Sequence, residues 1–150
     1  MDKEADKSLY QVFHQVIGLH HYRSHQLFEN QGVYRGQPPL LFALHKDDGQ
    51  SQKELSKKLG IQPATITMMV KRMTKAGLIE RRQDKEDQRV SRVYLTDEGK
   101  KARERAAIIV KQVEEDCFNG LSEEEKEDLK RIFIKIRENL YKTGFCKNKI

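Results

Sequence analysis

The sequence has only two cysteines, Cys117 and Cys146, too few for a disulfide framework and not grouped as zinc ligands would be. It has no run near the roughly 20 apolar residues that a membrane helix requires, so a spanning protein is excluded. The opening MDKEADKSLY is charged and lacks the apolar segment of a secretory signal, so secretion is not expected and a reducing cytoplasm is. Enzyme signatures are missing as well: there is no P-loop, G-x-G-x-x-G, G-x-S-x-G or H-E-x-x-H, and neither catalytic residues nor a cofactor is expected. Apolar residues are scarce, 37% beside 35% charged, in a chain of 150 residues. So short and polar a chain has a thin core, or completes it in an oligomer.

What is present is positive charge, and it is localised. Between Gly49 and Arg92 stand eleven basic and five acidic residues, a net +6 that equals the formal charge of the whole chain. The flanks carry eighteen of each sign and are neutral. A polyanion would meet the entire excess in the middle third; the plainer alternative is a solvated basic face.

Periodicity places this segment within a helical chain. Leu9, Val12, Phe13, Val16, Ile17, Leu27 and Phe28 recur at helical spacing, until Gly32, Gly36, Pro38 and Pro39 break the pattern. LLFALHK, from Leu40, reads as a short buried helix starting at the prolines and ending at Asp47-Asp48-Gly49. Ser51 followed by Glu54 is a capping box, so a helix carrying Leu55 and Leu59 should begin at Ser51 and stop at Gly60. Pro63 opens a second helix to about Lys75, with Ile66, Met69, Val70 and Met73 inward. The pair has the form of a helix-turn-helix. Leu78–Arg82 and Val90–Leu95 read as two strands, with the polar tip Gln83–Arg89 between them: a β-wing. Thr96 can cap a long helix striped by Ala102, Ala106, Ile109, Val110, Val113 and Cys117, the cysteine taken as a buried small residue. After Gly120, Ser122 and Glu125 cap a last helix striped by Leu129, Ile132, Phe133, Ile136 and Leu140, and a polar tail, Lys142–Ile150, should fray.

The fold class is therefore mainly α with a small β-hairpin. A winged helix-turn-helix at 36–96 is flanked by helical segments at 1–35 and 97–150 whose unpartnered stripes are expected to make a homodimer.

The second helix of such a pair enters the DNA major groove. Its outward positions here are Gln62, Ala64, Thr65, Thr67, Met68, Lys71 and Arg72. Gln62 can pair with an adenine edge, and the threonines with bases, phosphates or a thymine methyl; Lys71 and Arg72, two turns in, suit phosphates. In the wing, Arg89 can enter a minor groove, with Asp87 orienting its guanidinium. Asp84 and Glu86 repel DNA, so the tip works by geometry rather than bulk charge. Ser51 and Arg82 complete the expected DNA-contact set.

From about Gly32 to Gly99 the sequence resembles the MarR family of bacterial transcription regulators. The resemblance rests on Gln37 with LLFAL, then GQSQKELSKKLGI, PATITMMVKRMTKAGLIERR, the wing DKEDQRVSRVYL and LTDEG, in that order. It implies a winged-helix homodimer with intertwined terminal helices. It also implies a palindromic operator, usually repressed, and release by a small molecule or oxidant. Pro63–Lys75 becomes the recognition helix, Arg89 the wing arginine and Asp87 its partner; Gln88 stands where the family often has arginine.

His14, His21 and His25 share one face of the first helix and are candidate walls of an effector pocket; no metal site is assigned to them. The peroxide-sensing branch of the family depends on a first-helix cysteine, which this chain lacks, so oxidation sensing is disfavoured. The rival from another class is a winged-helix protein-interaction module without DNA binding, which would show a neutral or acidic recognition face.

Overall fold

The computed structural model describes residues 8–31, 33 and 37–144. Gly32, Gly36, Cys146 and all but the first residues of the expected fraying tail lie outside the described residues. The order is α1 (Leu9–Asn30), α2 (Gln37–Lys46), β1 (Gln50–Ser51), α3 (Gln52–Leu59), α4 (Pro63–Lys75), β2 (Ile79–Gln83), β3 (Ser91–Leu95), α5 (Asp97–Phe118) and α6 (Glu123–Lys142). Among the described residues, no helix is long and apolar enough to cross a membrane.

Local chemistry starts the helices. Ser51 and Ser122 form complete capping boxes with Glu54 and Glu125, and Ser8 forms a third with Gln11. Gly60 ends α3 at φ 63°, a left-handed conformation that costs glycine little and lets α4 start three residues later. Thr96 joins the wing to α5 by two bonds. Its hydroxyl accepts from the Gly99 N–H at 3.0 Å and donates to the Gly77 carbonyl at 2.6 Å.

The expected hairpin is a three-stranded antiparallel sheet of order β1-β3-β2, with Gln50 opposite Val93 and Ser51 opposite Arg92. A two-residue strand is too short to show alternation, which is why the sequence does not announce β1. The two long strands begin one residue later than expected, at Ile79 and Ser91.

Leu40, Leu41 and Leu44 of α2 pack with Leu55, Ile66, Val70, Met73, Ile79, Val93, Leu95 and Ala102 in the main core. This core clamps α3, α4 and the sheet root into one unit, so α4 and the root of the wing have a fixed relation. Gln50, the one buried polar residue among those described, donates to the Ala43 carbonyl at 3.1 Å and so satisfies the end of α2.

A smaller core joins α1 to α5 through Val33, Ile109 and Val113, with Leu27 and Phe28 against them. Arg23 and Asp116 clasp the same helices at 2.7 Å. Beyond this, among the described residues, neither α1 nor α6 has a buried residue. Ile132 and Leu140 are 49% and 61% exposed. Two expectations for α5 are corrected. Cys117 is exposed rather than buried, and so is Val110, because the buried face of α5 is the line of Ala102, Ala106, Ile109 and Val113, and both lie to one side of it.

Candidate nucleic-acid interface

The apolar side of α4 (Ile66, Val70, Met73) is buried, and this turns the opposite side outward. Gln62, Ala64, Thr65, Thr67, Met68, Lys71 and Arg72 are all exposed, so the structure brings the expected reading set onto one surface. Gln62 is the N-cap of α4 but makes no side-chain cap bond, so its amide is not spent on the helix. Thr67 differs from Thr65: its hydroxyl lies 2.9 Å from Gln52 Oε1 and 3.0 Å from the Pro63 carbonyl, so its one proton is used inside the protein. Thr67 can still offer its methyl group and a lone pair. Ser51 is half-buried, and its Oγ accepts the Glu54 N–H as the cap of α3.

The wing tip is tightly bonded to itself. Asp84 N–H donates to the Val90 carbonyl and Val90 N–H to the Asp87 carbonyl, both at 2.9 Å. Asp84 Oδ1 accepts from the N–H groups of Glu86 and Asp87 at 2.8 and 3.0 Å. Asp87 Oδ1 accepts the Arg89 backbone N–H at 3.0 Å. The expected Asp87–Arg89 ion pair is thus replaced by a side-chain-to-backbone turn, because the amide two residues on is the nearest donor. Arg89 is exposed and, among the described residues, its guanidinium has no ion partner. Arg82 is exposed too, but it pairs with Glu80 and lies over the Tyr94 ring, 4.7 Å from its centroid.

Asp84 also departs from expectation. It is not a bare repulsive charge: its Oδ2 pairs with Arg92 Nε. That bond and the Asp87 and Glu86 amides hold its carboxyl at about 2. Glu54 is held below its ordinary value mainly by its bond to the Ser51 N–H, and the Asp84 bond raises Arg92. Sequence reasoning missed Arg92 as a site residue. The available signal was the hairpin register, in which Arg82 faces Arg92, so that Asp84 lies diagonally across from it.

The three candidate effector histidines, His14, His21 and His25, are exposed on α1, with His25 Nδ1 3.4 Å from Glu29 Oε2. An open hollow of about 770 Å³ lies elsewhere, between α5 and α6, and its lining (Lys111, Asp116, Phe118 and Lys126 among others) includes none of them.

An α4 whose polar and basic side faces outward, beside a β-hairpin, is the arrangement of a winged helix-turn-helix. Comparison with known proteins agrees. The MarR family profile matches residues 33–91. The chain is 30% identical over 111 residues to the uncharacterized HTH-type transcriptional regulator YwoH of Bacillus subtilis (strain 168), covering 74% of this chain and 80% of that one. It is 29% identical over 109 residues to the similarly described YdgJ of the same organism, covering 73% of this chain and 66% of that one. The fold superposes on Bordetella bronchiseptica BpsR with a TM-score of 0.76 at 21% identity, over 87% of this chain and 94% of that one. The chain belongs to the MarR family and is a DNA-binding transcriptional regulator.

Proposed function

We propose that this chain works as a homodimeric repressor of a palindromic operator in the cytoplasm, released by a small molecule. The observation that carries the dimer is the exposure of the apolar residues of α1 and α6, a surface that water does not favour and a second copy would cover. The division into dimerisation segments at 1–35 and 97–150 around a DNA-binding 36–96 follows from it.

Each α4 then enters a major groove, the two sites about one helical turn apart on one face of the duplex. Gln62, Ala64, Thr65, Thr67 and Met68 read base edges. Ser51, Lys71, Arg72 and Arg82 hold the backbone, and Arg89, on a turn fixed by Asp87, enters the minor groove. The basic face favours this over a protein-interaction module.

In BpsR of Bordetella bronchiseptica, DNA binding is regulated by 6-hydroxynicotinic acid. For this chain we extend only the general idea, release by a small organic effector, with the His14, His21 and His25 face becoming a pocket wall once a second copy packs on α1. Oxidation sensing is not part of this reading, since α1 has no cysteine.

Selection of bound sequences from a random duplex pool tests the proposal. The expected product is an inverted repeat bound by two chains. Enrichment of an asymmetric site by a single chain would overturn it.

A further inference from the structure

Pairing of β1 ends where Ser51 meets Arg92, so beyond Arg92 the sheet narrows from three strands to two. A two-stranded ribbon has little stiffness of its own, and its twist is variable. Arg92 sits at this narrowing and spans it. Its Nε pairs with Asp84 at the base of the tip, and its Nη1 donates to the Gly49 carbonyl at 3.0 Å and lies 3.4 Å from Glu54 Oε2. Glu54 Oε2 also accepts the Ser51 N–H at 2.7 Å, at the start of α3. Asp84, for its part, holds the tip amides of Glu86 and Asp87. One side chain therefore links the wing tip to the first turn of the helix-turn-helix.

We propose that Arg92 is a positioning residue for DNA recognition: by holding Asp84 and Glu54 together it sets where the wing tip, and Arg89 with it, stands relative to α4. The planar guanidinium suits this role because its donors lie at fixed angles and serve separate acceptors at once. The inference rests on the proposed wing contact with DNA.

Asp84 separates this role from simple charge. If Asp84 acts only as a negative charge near a polyanion, Asp84→Asn tightens binding to every duplex. If it is the tip's end of a strut, the same change loosens binding where wing placement matters and spares binding to random sequence.

The test uses the full chain, a duplex selected by the wild type and a random duplex of equal length, with affinities read by fluorescence anisotropy. Arg92→Gln and Asp84→Asn are each expected to lower the selected-to-random affinity ratio roughly tenfold, and the double variant to lose no more than the worse single, as coupled partners do. Arg92→Lys restores the charge but not the fork, and its ratio stays low. A ratio held or raised by Asp84→Asn, or losses that multiply in the double variant, would overturn the proposal. A second readout needs no DNA: Arg92→Gln should speed hydrogen exchange at the Glu86 and Asp87 amides, and unchanged exchange counts against the strut. A wild type that selects no sequence refutes the DNA reading instead, and the exchange result still decides the anchor.

Discussion

A Cβ added to Gly99 would stand 1.9 Å from the carbonyl oxygen of Leu78. The first turn of α5 therefore lies directly on the backbone at the root of the wing, and Thr96 bonds both sides of the contact. This explains the spacing of Thr96 and Gly99 in LTDEG: one supplies the cap, the other the room. Gly99→Ala should cost about 2–4 kcal/mol, since the obstacle is backbone and cannot rotate away. Denaturant unfolding measures it; a variant as stable as the wild type would show that α5 can lift off the wing freely.

Arg89→Ala should weaken binding to the selected duplex by about 1–3 kcal/mol. Its guanidinium is exposed and its turn is held by backbone bonds, so melting temperature and dimerisation should not change. Affinity equal to the wild type in an anisotropy titration would remove Arg89 from the interface.

Gln62 and Lys71 should fail differently. Gln62→Ala should flatten sequence preference, because in the proposed docking its amide, free of capping duty, is available to base edges. Lys71→Ala should weaken all duplexes alike and reduce the slope of log affinity against log salt by about 1. Equal losses on selected and random DNA for both variants would contradict these roles.

Phe133 and Ile132 are 41% and 49% exposed on α6, which suits a surface reserved for a second copy. Ile132→Glu with Phe133→Glu should leave a monomer where the proposed dimer would otherwise form, as should ending the chain at Leu121. Multi-angle light scattering reads the mass directly, and a stable dimer of either variant would place the interface elsewhere.

The wing anchor should depend on acid in one direction. Asp84 is held at about 2, against an ordinary 3.8, by Arg92 and the Asp87 and Glu86 amides. A depressed carboxyl contributes order above its unfolded value, and that order is lost as pH falls through the folded one. Amide resonances of Glu86 and Asp87 should therefore hold steady above pH about 4 and shift as pH falls toward 2. In Arg92→Gln that transition should move up toward the ordinary aspartate range; an unmoved transition would mean Arg92 does not hold Asp84.

The helix boundaries around the reading unit were legible because their causes are local. Ser51 and Glu54, Gly60, and Pro63 act within a few residues of one another, and α4 runs from Pro63 to Lys75 as its periodicity indicates. The outward face of α4 followed from the inward one. Misjudgements arose where the cause was distant or had a competitor. The Asp87 carboxylate had a closer donor in the Arg89 amide than in its guanidinium. Asp84 looked unpaired because its partner is eight residues away on the other strand. Cys117 continued the apolar spacing of Ile109 and Val113 but lies beyond the buried part of that stripe.

Order along the chain by itself determined the class of this protein: helix, turn, helix and wing, with the surplus positive charge confined to them, because caps, periodicity and charge are written in short stretches. Only the tertiary structure decided how the wing is held. Glu54, Asp84 and Arg92 meet because β3 returns beside the start of α3, and nothing in the residues themselves states that closeness.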